Sequence, residues 1–458
     1  MDCLLNTSST LFPCSPSNSP RVKGQYGLPP TGNRNCTLCN DSFGCNLSAS
    51  IFHDGLRPIL PQVADGAMPR KDAGSIAFGL SIGFTLSVGL SFSLSTGLLN
   101  PWLLFLPTDV IGVFIGSRWL AALAGGCWGL FVVTGLAGVD LLFSTLPLDM
   151  TLPLAEMAKP VLAILALFPV VAAFKQFGWR VGAVFALVMF IVYLAALQGE
   201  SLQPEVIQMV TGSLLLLVFA IRKDLNDRKN GISPPDMSAL HGIYEEKYKP
   251  LIKHLPFLTL TGAMIALATN AGYLAGSEVS IYPLAEAYAM QDPEGQRAAI
   301  HHVAIAEALR GLGFAPLIIM AALTTGIYGM VGLTFVFVAG YLAPNLASAA
   351  VLGALIIVIE IGLLKRISRL LEQFPSLRDT SDNIRDAMNV LMEFALLIGG
   401  VLAVMKMGAT TGLTLFAVFY FLNEVLGCPV LKIAAPAAAT VITCLTLNLL
   451  YAFGLIAL

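Results

Sequence analysis

Apolar runs of helix length recur along this chain, and the longer ones, of about 20 residues at 1.5 Å each, cross the roughly 30 Å hydrocarbon core of a bilayer. In lipid every backbone N–H and C=O must find a partner within the spanning structure, so such a run is a helix or a strand of a closed barrel. These runs have helix length and lack the alternation of barrel strands. Spans are expected near Ala73 to Ser95, Trp102 to Ile115, Leu120 to Phe143, Val161 to Phe174, Val181 to Leu197 and Val206 to Ile221. After a polar stretch from Arg222 to His254 they resume near Phe257 to Leu274, Ala298 to Pro316, Leu317 to Val338, Ala347 to Leu364, Met388 to Met405, Leu413 to Leu426 and Pro436 to Ile456. The expected class is an all-α polytopic membrane protein of about 13 transmembrane helices, or about 14 if a first helix is restored. Charged residues make up 12% of the chain, against about a quarter in soluble domains. The formal net charge of −2 argues against a nucleic-acid partner.

Lys and Arg set orientation, because they accumulate on the cytoplasmic side. Counting crossings puts Arg57, Arg70, Lys71, Arg118, Lys175, Arg180, the Arg222 to Lys253 stretch and the Lys365 to Arg385 segment on one side. The opposite loops, Ser95 to Asn100, Asp140 to Pro160, Gln198 to Glu205 and Gly276 to Gln296, carry Lys159 as their cation. That assignment requires Ala298 to Val338 to cross twice. It makes the chain a multi-pass membrane protein, with the lipid bilayer as its first partner; a homodimer is left open.

Residues 1–50 read differently from the rest, being rich in Ser, Thr, Asn and Pro and holding Cys3, Cys14, Cys36, Cys39 and Cys45. The pair Cys36 and Cys39 with His53 resembles part of a zinc site, but no second CxxC or HxxxH follows, so no metal is expected. The segment is expected to be a disordered or mis-framed tail. Residues 51–221 then form an N-terminal transmembrane half, 222–256 a cytoplasmic linker and 257–458 a C-terminal transmembrane half. With a first helix restored each half has about seven crossings, and an odd number forces two repeats into opposite orientations. A sequence echo accompanies this: a polar segment containing Pro58 leads to a span ending Ser95-Thr96-Gly97, and one containing Pro283 leads to a span ending Thr324-Thr325-Gly326.

Ionised side chains are expensive at mid-bilayer, about 2.5 to 3.5 kcal/mol on insertion scales, so those that persist face a cavity or a partner. Pro107-Thr108-Asp109 combines a helix breaker with a carboxylate, suited to a cation or proton site or to a simple kink. Glu307 and Arg310 stand three apart on one helical face, with His301 and His302 one to two turns earlier; they suit an anionic substrate group with a proton relay, or a structural ion pair. Asn423-Glu424 sits late in its span near Lys432, as a cation ligand or a helix-end pair. Two polar segments read as solvated loops or as re-entrant segments: one contains His53, Asp54 and Arg57, the other Gly276, Ser277, Glu278 and Ser280. Glu360 and Glu393 lie within reach of cationic loops and are expected to snorkel.

Segments FHDGLRPILPQ (Phe52 to Gln62), AGSIAFGLSIGF (Ala73 to Phe84), WLLFLPTD (Trp102 to Asp109), GSEVSI (Gly276 to Ile281), RGLGF (Arg310 to Phe314), SDNIRDAMN (Ser381 to Asn389) and FLNEVLG (Phe421 to Gly427) closely resemble the YhfT family of bacterial inner-membrane proteins. The likeness runs from about Ile51 to the C-terminus. It implies a transporter, and the family's association with phosphotriesterase-like and pyridoxal-phosphate enzymes implies an amino-acid-like or phosphorylated solute.

The expected function is therefore a secondary transporter of a small polar metabolite, working by alternating access and coupled to protons or sodium through Asp109, Glu307 or Glu424. No cofactor is expected. No Walker motif, HExxH or GxSxG elbow in context is present, so the chain is not expected to be an enzyme. The rival readings are an intramembrane enzyme using His53-Asp54 with His301 and His302, and a passive channel or membrane subunit of a larger complex.

Overall fold

The computed structural model describes residues 32–456 apart from 53–55, 57, 58, 65, 86–88, 200, 201, 232–237, 330–334, 429, 431 and 433. The first half runs through α1 (Gly32–Asn46), β1 (Ser50–Ile51), α2 (Ile59–Ala64), α3 (Arg70–Phe84), α4 (Leu90–Thr96), α5 (Pro101–Phe114), α6 (Arg118–Thr145), α7 (Thr151–Leu165), α8 (Phe168–Ala196) and α9 (Pro204–Lys229). Helix α10 (Ser238–Lys253) leads into α11 (Leu255–Asn270), α12 (Ile281–Ala289), α13 (Pro293–Thr325), β2 (Tyr328–Gly329), α14 (Val336–Leu342), α15 (Leu346–Gln373), α16 (Pro375–Val425) and α17 (Ala435–Ala452).

The protein is an all-α membrane protein. Among the described residues, seven helices (α6, α8, α9, α13, α15, α16 and α17) are long and apolar enough to cross a membrane, or eight if α10 and α11, bent by 64° at their junction, count as one broken span. Their outward residues, such as Leu123, Phe131, Val184, Leu187, Phe190 and Val351, are exposed. In water that surface would be an aggregation hazard, whereas in lipid it is the solvated face.

Local chemistry sets the ends. Proline stands in the first turn of α5, α8, α9, α11, α13, α16 and α17, where a missing N–H removes no helical bond. Asn100 caps α5 by accepting from the Trp102 N–H at 2.7 Å. Asp292 caps α13 by accepting from Glu294 and Gly295. Helices α4 and α13 end in the same way: Gly97 (φ 72°) and Gly326 (φ 74°) take the left-handed conformation that glycine adopts without strain. The preceding Thr96 and Thr325 hydroxyls each accept from the N–H of the residue after the glycine, at 3.3 Å in both cases. The Ser-Thr-Gly and Thr-Thr-Gly echo is thus one stop signal used twice.

One expected span boundary is absent. The segments expected at Ala298 to Pro316 and Leu317 to Val338 are not two helices, because α13 continues through Pro316 to Thr325 as 33 residues. An internal proline removes one backbone donor, and here buried Phe314, Leu317 and Ile318 hold the helix on both sides of it. Conversely α16, 51 residues long, would reach about 75 Å if straight. It is broken at Gly408 and Ala409, both with non-helical backbone, between the expected spans Met388 to Met405 and Leu413 to Leu426. Gly178 (φ 79°, ψ 174°) breaks α8 in the same manner, between Val161 to Phe174 and Val181 to Leu197.

The tail expected over residues 1–50 is shorter than that, since α1 packs along α5 and α6. A Cβ on Gly125 of α6 would lie 2.6 Å from the Leu38 carbonyl oxygen, and one on Gly112 of α5 would lie 2.8 Å from that of Ser42. Those glycines let the helices approach, and the polar residues that made the segment look like a tail find partners there. Ser42 Oγ donates to the Thr108 carbonyl at 2.9 Å and Asn46 Nδ2 to that of Gly112 at 3.1 Å.

Two short parallel pairings join the chain before residue 100 to the chain after residue 270. In the first, β1 lies beside β2, with Ser50 opposite Tyr328 and Ile51 opposite Gly329. In the second, Leu99 bridges Leu274: the Leu99 N–H donates to the Tyr273 carbonyl at 3.2 Å, and the Ala275 N–H to the Leu99 carbonyl at 3.3 Å. Each pairing satisfies backbone that leaves a helix in apolar surroundings. Packing follows a matching plan: α1 lies on α5 and α6 as α11 lies on α14 and α15, and α8 pairs with α9 as α16 pairs with α17.

Candidate functional site

In the first half, Pro107 has no N–H to give the Leu103 carbonyl, and the Trp128 indole of α6 supplies a donor instead at 3.2 Å. Helix α5 carries Asp109, which is fully buried. Its two carboxylate oxygens accept from the Phe52 N–H at 3.2 and 3.1 Å, just after β1. The Phe52 ring stacks on Phe105, 5.2 Å between centroids. The Thr108 hydroxyl bonds the carboxylate of Asp41 on α1, which is also buried. His53, Asp54 and Arg57 lie outside the described residues.

The second half presents a denser cluster where the chain turns from α11 into α12. The Gly276 N–H donates to the Tyr341 hydroxyl of α14 at 2.6 Å, and the Ser277 N–H donates to Ser280 Oγ at 2.8 Å. Ser277 Oγ donates to Glu307 Oε2 of α13 at 2.8 Å. Arg310, one turn along α13, pairs through Nε with Glu278 Oε1 at 2.9 Å, with side chains only 8% and 1% exposed. The second oxygen, Glu278 Oε2, is buried and has no hydrogen-bond donor among the described residues. The Arg310 guanidinium sits 4.9 Å over the Phe314 ring, which stacks on Phe168 at 5.0 Å. A Cβ on Gly276 would come within 2.7 Å of Glu307 Oε2, so a side chain there has to displace that carboxylate. Gln203 at the start of α9 donates to the Val279 carbonyl at 3.5 Å.

The two clusters share a construction. After the first helix of each half a non-helical segment runs into the protein, and a side chain from a later short helix receives one of its N–H groups: Asp109 takes that of Phe52, and Tyr341 that of Gly276. Two carboxylates and one guanidinium in one buried place can hold a polar solute bearing both charges, or accept a cation beside the existing pair.

The sequence reading placed Glu307 and Arg310 together correctly on one helix but paired them with each other; the bonded partners are Ser277 and Glu278, brought from the loop. His301 and His302 are exposed, outside this cluster. Asp109, Glu307 and Glu424 do not meet one another through any described contact. Asn423 fastens the turn after α16, donating to the Val430 carbonyl and accepting from its N–H, each at 2.9 Å. Glu424 is partly exposed and stands 3.9 Å from Lys432. Glu360 does not snorkel: it is buried and accepts from the Tyr328 hydroxyl and, at 2.9 Å, from the Phe335 N–H, tying β2 to the start of α14. Tyr341 and Asp41 escaped the sequence reading. A polar ring amid apolar residues beside Gly340 was the available sign for Tyr341, while the tail assignment hid Asp41.

The YhfT family, described as a protein of unknown function, matches residues 37–456. A curated relative, "Uncharacterized protein YhfT" of Escherichia coli (strain K12), is 48% identical over 423 residues, covering 92% of this chain and 96% of the relative. No solved structure matches.

Proposed function

This chain belongs to the YhfT family, and we propose that it is a secondary transporter of a small polar metabolite in a bacterial inner membrane, coupled to protons or sodium and built from two inverted seven-helix repeats. The observation that carries the reading is the buried assembly of Glu278, Glu307 and Arg310 against the non-helical Gly276 to Ser280 backbone. Intramembrane charges on broken helices are the usual construction of solute and ion sites in carriers, because freed backbone groups and side chains together replace water around the solute.

The repeat is supported by reciprocity. The segment after the first helix of each half pairs with the segment that follows the threonine-glycine stop of the other: Ser50 with Tyr328, and Leu274 with Leu99. An exchange of this kind is what a two-fold axis lying in the membrane plane produces, and it leaves two equivalent ends for alternating access. Arg310 compensates one of the two carboxylates, Glu278; Glu307, held by Ser277, is the group left to bind the coupling ion. The solute is then a compact polar molecule, amino-acid-like or phosphorylated, whose anionic group competes with Glu278 for Arg310.

The test is uptake by purified protein in proteoliposomes, using solutes selected by thermal stabilisation of the protein. Uptake should require an imposed proton or sodium gradient and fall to the level of empty vesicles when Glu307 is changed to Gln. Gradient-driven uptake that survives amide replacement of Asp109, Glu278 and Glu307 together would remove the coupling claim.

A further inference from the structure

Helix α13 ends beside α10. A Cβ on Gly326 would meet the Lys247 carbonyl oxygen at 2.8 Å, so the glycine that stops α13 also admits the linker helix. Next to this contact a small pocket of about 90 Å³ opens between α10 and α15, with Leu323 of α13 also lining it. Helix α15 contributes Lys365, Ser368 and Arg369, and α10 contributes Tyr244, Glu245 and Tyr248.

Lys365 and Arg369 are one helical turn apart and share a face. Both are exposed, and neither makes an ion pair among the described residues, Glu245 included. Two cations facing one carboxylate leave the wall with an unbalanced positive charge. The half-buried Tyr248 and the Tyr244 ring add an amphipathic collar of the kind found where membrane meets water. The pocket lies beside the stretch that concentrates the chain's Lys and Arg residues, from Arg222 to Lys253. Basic pockets between helices on such a side suit phosphate headgroups, since clustered Lys and Arg attract the anionic lipids of that leaflet.

We propose that this pocket binds a phosphate-bearing anion, with Lys365 and Arg369 as the charge pair that holds it. Its position gives the ligand a structural consequence. Glu360, on the same helix as Lys365, holds Tyr328 of β2 and the Phe335 N–H at the start of α14. A phosphate bridging α15 to α10 therefore fixes the helix that anchors β2, and through β2 steadies its pairing with β1. The site is separate from the Glu278, Glu307 and Arg310 cluster and does not depend on what that cluster carries.

The experiment uses the full chain in nanodiscs and reads the thermal unfolding midpoint against added anion. One arm replaces part of a phosphatidylcholine bilayer with phosphatidylglycerol; a second keeps phosphatidylcholine and adds inorganic phosphate. Stabilisation in the first arm alone identifies a lipid headgroup, and stabilisation in the second identifies a free phosphate; either supports the site. The variant K365Q/R369Q should bind the effective anion about thirtyfold more weakly, as expected for two interfacial charges, while Lys365→Arg should keep its binding. If the double variant does not fold, Lys365→Gln and Arg369→Gln singly should each weaken binding about fivefold. No stabilisation in either arm overturns the proposal. So does undiminished stabilisation of the foldable glutamine variants, or an equal loss in the remote control K175Q/R180Q, which would reduce the effect to general surface charge.

Discussion

Breaking the Glu278–Arg310 pair from one side should be far worse than removing it whole. The two side chains are 1% and 8% exposed and joined at 2.9 Å. Changing Arg310 to Met leaves a buried carboxylate whose second oxygen already has no donor among the described residues; changing Glu278 to Gln leaves a buried guanidinium above the Phe314 ring. Either single loss should cost about 3–5 kcal/mol, the typical cost of breaking a buried ion pair from one side. If the sites were independent, the double variant would lose about 6–10 kcal/mol. With both members of the pair gone neither leaves its bonded partner behind, so the double variant should be no less stable than the worse single one. Thermal or denaturant unfolding of the four proteins in nanodiscs measures this cycle. Additive losses would refute the pair as a coupled buried unit, and with it the geometry on which the solute site rests.

Three further outcomes follow from local geometry. Gly276→Ala places a Cβ at 2.7 Å from Glu307 Oε2; it should displace the Ser277–Glu307 bond and reduce uptake more than it reduces the unfolding midpoint, and unchanged uptake would contradict that contact. Trp128→Phe takes the donor away from the Leu103 carbonyl left open by Pro107 and should cost about 1–3 kcal/mol on unfolding, whereas Leu103→Ala keeps that bond and should act through lost packing alone. Gly178→Ala forces a side chain into φ 79°, ψ 174° and should destabilise by about 1–3 kcal/mol, against little effect for Gly138→Ala, a helical position with open space beside it.

What the sequence disclosed follows from what is local. Apolar run length located α6, α9, α15 and α17 closely, because spanning length is a property of contiguous residues. The Ser95-Thr96-Gly97 and Thr324-Thr325-Gly326 echo marked two matching helix stops, since that turn is encoded in three adjacent residues. Pro316 misled for the same reason: a breaker read locally predicts a helix end, but packing on both sides carries α13 past it. Polar composition misled at α1, where Ser42 and Asn46 bond to α5 carbonyls that lie more than sixty residues away. The candidate site was half legible. Glu307, Arg310, Glu278 and Asp109 stood out as charges in apolar surroundings, yet the partners Ser277 with Glu307, Glu278 with Arg310 and Phe52 with Asp109 are long-range, and no spacing rule joins them. Asn423 and Glu424 had the same appearance in sequence and turned out to fasten a helix end.

The most direct test of the transporter account is two-sided accessibility at Ser277. In a chain whose native cysteines are replaced, a Ser277→Cys variant in proteoliposomes would be exposed to a membrane-impermeant thiol reagent from one face at a time, with and without a proton or sodium gradient. Labelling from each face in turn, redistributed by the gradient, is the expected result. Labelling confined to a single face under every gradient would contradict it.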